Sequence, residues 1–255
     1  MLARRNGTVR IAHGLTAIGL VLAALAGCGS PPPDAHTLLG DAKKSVDASR
    51  TVHFKLSSSN AQSSSTALVG GDGTAARPDG FAGQLNVSIQ GLIITIKIAS
   101  VGGVFYVQLP FSTTWTVARA DQYGFGDPAQ LINTDHGLTS LLAEAKSPAL
   151  GEQDRYNGEL LYEVTCRLPG ADVARLLTSA DPTQDDTAVI GISADSHQLR
   201  RVVLTGPFFD KNKSSTYTLV LDNYGANVTV TAPPVSSPSP SPTGSPAAGA
   251  SPAGG

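Results

Sequence analysis

The sequence predicts an α+β domain: one large antiparallel sheet with helices packed on one face. Three observations lead there. Apolar residues alternate with polar ones over a series of short segments, brief turns join these segments, and the helix-like stretches fall between sets of strands. Steady strand–helix alternation would have meant a parallel α/β sheet, and it is absent. Composition agrees with an exported, strand-rich protein, since charged residues are only 15% and aromatics 5% of the 255 residues against about 25% charged in ordinary domains. A net charge of −2 builds no field for nucleic acid. Two cysteines cannot form a disulfide framework.

The chain opens with Arg4, Arg5 and Arg10, followed over residues 11–26 by a mostly apolar run interrupted by His13 and Thr16. That run is short for a span, which needs about 20 apolar residues, and it has the layout of a secretory signal. An uncleaved N-terminal anchor is the alternative. The run ends in Leu25-Ala26-Gly27-Cys28, which resembles a bacterial lipobox. The resemblance implies a signal peptide over 1–27, a diacylglyceryl group on the Cys28 thiol, and anchoring at the extracytoplasmic face of the cell membrane. Two or three acyl chains there would anchor the protein stably. Three prolines then make residues 28–33 an extended, lipidated tether. At the other end, residues 233–255 are rich in Pro, Ser, Ala and Gly and offer almost nothing to bury, so a disordered tail is expected. Residues 34–232 remain as one domain.

Within it, Asp34 is a plausible cap for a helix over 34–49, with Leu38, Ala42 and Val46 on one stripe. "TVHFKLS" alternates Val52, Phe54 and Leu56 inward as a half-buried strand. Leu85, Val87 and Ile89 share a face with Phe81, as do Ile94, Ile96 and Ile98 with Leu92, and "VFYVQL" resumes after a Gly-Gly turn with Phe105 and Val107. This is an antiparallel meander. Asp127-Pro128 starts one helix, "DPAQLI", and "GLTSLLAEAK" forms a second that Pro148 ends. "YNGE" is an Asn-Gly hairpin turn leading into "ELLYEVTCRL". A short helix "GADVARLLTSA" follows, then strands at "TAVIGIS", "LRRVVLTG", "TYTLVLD" and "NVTVTA".

No catalytic signature is present: no G-x-S-x-G, H-E-x-x-H, C-x-x-C or phosphate loop. His36, His53, His136 and His197 are scattered, as surface or turn histidines are, and none has metal-ligand spacing. Cys166 alternates with Val164 and Leu168 and is expected to face a core. No metal, cofactor or enzymatic activity is expected. The broad aliphatic face of 85–98, with few aromatics to fill it, has two readings. One is ordinary packing of helices on the sheet; the other is a sheet curved away from its helices around an apolar cavity suited to acyl chains.

The stretch "DPAQLINTDHGLTSLLAEAKSP", with "YNGE", "VHFKL", the 83–106 hairpin, "HQL" at 197 and "GANVTVTAPP" in order, is similar to the actinobacterial LppX/LprA/LprF/LprG family of cell-envelope lipoproteins. The likeness runs from about Asp34 to Pro234. It implies a curved antiparallel half-barrel sheet of LolA/LppX type, with helices covering the concave face around an apolar cavity. It also implies binding of lipid or glycolipid acyl chains and their transfer across the cell envelope, with a membrane lipid transporter as a further partner. The cavity positions so implied are Leu85, Val87, Ile89, Ile94, Ile96, Ile98, Phe105, Val107, Leu131, Leu138, Leu141 and Leu142. A structural or adhesive lipoprotein with a solid core and no cargo is the alternative. The chain departs from the family in an inserted "GFG" at 124–126, in Tyr224-Gly225 where Trp-Gly is frequent, and in Asn133-Thr134-Asp135 where some members have Asn-Pro-Asp.

Overall fold

The computed structural model of the chain describes residues 33–61 and 66–235. The signal peptide expected at 1–27, nearly all of the expected tether and most of the expected tail lie outside the described residues. The described residues form one compact unit.

Helix α1 (Ala35–Asp47) begins where expected. The Asp34 carboxylate accepts from the Thr37 backbone N–H at 3.1 Å, and Leu38, Leu39, Ala42 and Val46 are buried on one stripe. The chain then enters β1 (Thr51–Ser59), β2 (Ala67–Ala76), β3 (Gly80–Ile89), β4 (Leu92–Val101), β5 (Val104–Gln108) and β6 (Thr116–Ala118). A 3-10 helix, Pro128–Ile132, and α2 (Leu138–Ala143) follow. Next come β7 (Lys146–Tyr156), β8 (Glu159–Leu168), α3 (Gly170–Leu176), β9 (Asp186–Ser193), β10 (Leu199–Asp210) and β11 (Lys213–Asp222). All eleven strands belong to one sheet in the order β6-β5-β4-β3-β2-β1-β11-β10-β9-β8-β7. Every adjacent pair is antiparallel.

Two meanders, β1–β6 and β7–β11, are thus joined through the β1–β11 pair, in which Phe54 faces Leu221 and Leu56 faces Leu219. Their tight turns come from local chemistry. At the β7–β8 turn Asn157 (φ 49°) and Gly158 (φ 84°) both take positive φ, the geometry that matches strand twist in a two-residue hairpin.

Two elements differ from expectation and one was not foreseen. The unforeseen one is β2, residues 67–76, "ALVGGDGTAA", a strand that carries Gly70, Gly71 and Gly73. The glycines are there because β3 leans over them. A Cβ on Gly71 would lie 2.4 Å from Leu85 Cδ2, and one on Gly73 would lie 2.5 Å from Phe81 Cζ. The second middle helix ends at Ala143 rather than at Pro148, and residues 146–156 become the edge strand β7. An edge tolerates a proline because one row of N–H groups has no partner to serve, and the register shifts between Lys146 and Ala149 accommodate it. "NVTVTA" is not a strand. Both sides of β11 are already taken, by β1 and β10, so the departing chain finds no open edge. It lies irregularly instead, held where Thr51 Oγ1 donates to the Ala226 carbonyl at 2.7 Å.

The close approach at β2 predicts that Gly73→Val lowers stability by about 1–3 kcal/mol through forced overlap with Phe81. Urea denaturation would show this as a lower midpoint; an unchanged midpoint would mean that Phe81 swings away freely.

Candidate functional site

The inward positions of the central strands form rows. One row runs Leu85–Gly71–Leu56–Leu219–Val202 through directly paired residues of β3, β2, β1, β11 and β10. Its second member, Gly71, has no side chain, and Leu85 leans over that position. Above it the covering elements supply Leu131 from the 3-10 helix, Leu138 and Leu141 from α2, and Val173 and Leu176 from α3. Together with Phe54, Leu68, Phe81, Leu168, Leu204 and Tyr217 they enclose an apolar cavity, which the 124–128 segment borders through Phe125, Gly126, Asp127 and Pro128. The void open to the centre of a water-sized sphere is about 110 Å³. One such sphere needs about 10–15 Å³, so the space suits a slender chain of on the order of eight methylene-sized groups.

Four of the twelve positions implied by resemblance border this cavity: Leu85, Leu131, Leu138 and Leu141. Val87, Ile96, Ile98, Phe105, Val107 and Leu142 are buried in the adjoining hydrophobic core without bordering the void. Ile94 packs against that core, and Ile89 is partly exposed at the end of β3. The void is therefore centred under β3-β2-β1-β11-β10 rather than under β3-β4-β5. The residues missed, Phe54, Leu56, Val202, Leu204, Tyr217 and Leu219, all sit at inward positions of strands whose alternation is plain in sequence. The 124–126 stretch, expected from sequence to be an insert, also takes part. Phe125 is buried, with its ring centroid 5.9 Å from that of Phe105 and 6.5 Å from that of Tyr123.

Polar groups are sparse around the void. The Tyr217 hydroxyl donates to the Leu68 carbonyl, and burial raises its pKa, so it stays neutral. The Asp72 carboxylate turns to the opposite face of the sheet, 3.2 Å from His53 Nε2, while His53 Nδ1 lies 2.6 Å from Asp222. His53 is thus clamped between two strands rather than free on the surface. Cys166 faces the core as expected, and burial pushes its thiol up to about 11, which leaves no thiolate for chemistry. Among the described residues no three His, Cys, Asp or Glu side chains converge as a metal site. Also among them, no helix is long and apolar enough to cross a membrane.

One buried carboxyl stands beside the wall. Asp186 pairs in register with the wall residue Leu168, is only 3% exposed, and leaves Oδ2 without a hydrogen-bond partner. Burial, then the charges of Asp181 and Asp185, push it up to about 6. The unfolded chain releases this proton near pH 4 and the folded one near 6, so between these values the folded state holds more protons and stability falls as pH rises. Asp186→Asn should therefore raise stability at pH 7.5 by roughly 2–3 kcal/mol, with the gain vanishing toward pH 4. Thermal melts of both proteins across that range measure it, and a pH-independent difference would contradict the assignment.

Comparison with known proteins places this geometry. The model of the LppX_LprAFG lipoprotein family matches residues 34–230. The chain is 27% identical over 232 residues to the lipoarabinomannan carrier protein LprG of Mycobacterium bovis BCG, covering 87% of this chain and 94% of the relative. The protein of the same name from Mycobacterium leprae is 24% identical over the same shares. Among solved structures, LprF from Mycobacterium bovis superposes with a TM-score of 0.63 at 18% identity, covering 80% of this chain and 99% of that one. LppX from Mycobacterium tuberculosis gives 0.58 at 16%, covering 79% and 100%. These two share the fold.

Proposed function

The chain belongs to the LppX_LprAFG lipoprotein family, and on that premise we propose that it is a lipid carrier that takes acyl chains of lipids or glycolipids into the apolar cavity and moves them within the cell envelope. The observation that carries this reading is the apolar cavity over the row from Leu85 to Val202, roofed by leucines of three short helices. An acyl chain needs area and few directed bonds, and this cavity offers that. Binding is driven by apolar burial, about 25 cal/mol per Å², less the cost of ordering the chain. No covalent step is required. The relatives named as lipoarabinomannan carriers support acylated glycolipid as one cargo class. The cavity is slim for a multiply acylated lipid, so such a cargo would part the roof from the sheet or leave chains outside. Diacylglyceryl attachment at Cys28 would fix the carrier at the membrane that supplies its cargo.

The test fills the void. Leu131→Trp, on the roof, should cut lipid co-purifying from the native host at least tenfold, as read by mass spectrometry of organic extracts, while the melting temperature moves by only a few degrees. Lipid retained at the parent's stoichiometry would show that the cavity is not the binding site. Absence of lipid from the parent itself would favour a solid-core lipoprotein.

A further inference from the structure

Large apolar side chains are also left in solvent, and they gather at one rim of the sheet. The β3–β4 turn carries Leu92, 68% exposed, and Ile93, 62% exposed. Neighbouring residues of a strand point to opposite faces, so this hairpin tip stands clear of the body on both sides. The β5–β6 connection carries Leu109, 46% exposed, and Phe111, fully exposed at φ 63°. Both tips lie at the same end. Gln108 pairs with Lys97, so residues 109–115 continue alongside the part of β4 that begins at Leu92. The β10–β11 turn, with Lys211 and Lys213, belongs to this rim too, because Ser59 pairs with Thr216 and Leu68 with Val87. Wall residues Leu56, Leu68 and Leu204 lie toward this rim.

We propose that this rim is a membrane-docking surface, whose two apolar tips enter a lipid bilayer with anionic headgroups and set the cavity beside it. The occupant follows from three features. Side chains exposed on both faces of a hairpin are covered together by a fluid apolar medium, whereas a rigid partner meets one face. The charges of this rim are those of the β10–β11 turn, Lys211 with Lys213, the latter 3.8 Å from Asp210, and no Asp or Glu occurs between Asp79 and Asp121, so an anionic surface meets no carboxylate at the two apolar tips. Phe111 holds a positive φ that a phenylalanine rarely adopts, with its ring packed against nothing; burial in lipid would compensate that strain. Apolar tips clear of carboxylates, with lysines elsewhere on the same rim, are features of surfaces that bind membranes. Its purpose rests on the carrier reading, but its test does not.

The sole tryptophan, Trp115, sits on the same connection and reports on it. The chain from Pro33 onward, which lacks Cys28, is mixed with vesicles of phosphatidylcholine and phosphatidylglycerol (7:3). It should sediment with them, shift Trp115 emission to the blue, and be quenched by brominated acyl chains. Leu92→Ser/Ile93→Ser and Phe111→Ser should each lower the partition coefficient about tenfold. Val228→Ser, at an exposed apolar residue outside this rim, should not. Failure of the parent to bind or be quenched overturns the proposal whatever the variants do. So does concentration-dependent dimerisation that the tip substitutions abolish without any vesicle binding. Leu131→Trp should keep vesicle binding while losing cargo, so failure of docking and failure of the carrier reading are told apart.

Discussion

The pairing of β1 with β11 is the interaction on which the rest of the structure depends. It joins residues near the two ends of the domain, bringing Phe54 against Leu221 and Leu56 against Leu219 across more than 160 residues of chain. Without it there would be two separate meanders, each with a long unpaired edge. With it they become a single sheet whose exposed edges are the three-residue β6 and the polar, proline-bearing β7. His53 reinforces the seam on the outer face by holding Asp222 of β11 and Asp72 of β2 at once. Burial opposes its charge, but the two carboxylates outweigh that and raise its pKa.

The same seam fixes where the hollow lies. Strands near the middle of an eleven-stranded sheet are the ones a short roof can span, and the roof is short: α2 has six residues and α3 seven. Long helices would have filled the concave face with side chains. Here the sheet supplies Gly71 and Gly73 at its most crowded point, where Leu85 and Phe81 lean over β2. The roof contributes isolated leucines above.

This division explains what could be read from sequence. The alternation of Val52, Phe54 and Leu56, the Asn157-Gly158 turn, the Asp34 cap and the inward Cys166 are local properties, and the structure repeats them. The α+β class followed from the same local signals. The position of the cavity did not, because it depends on which strands become central, and that is settled by a pairing between distant segments. In the most continuous aliphatic stretch, at 85–98, Leu85 borders the cavity while Val87, Ile96 and Ile98 pack in the adjoining core. Most of the wall comes instead from strands that looked no different from the rest. Strand β2 was illegible for a related reason. Glycine in a strand is unfavourable alone and becomes necessary only once Leu85 and Phe81 are placed against it.

An acyl chain in the cavity removes its own apolar surface and that of the wall from water. Any apolar chain of fitting width gains this, whatever its headgroup, because the wall presents few directed polar partners to discriminate by hydrogen bonding. Selectivity for one lipid over another must then arise outside the void, from the surface at which the lipid is met. Phe125, packed against Phe105 and Tyr123 at the cavity's border, lies in the stretch read from sequence as a departure from the family, and a change there would alter that border while leaving the sheet untouched.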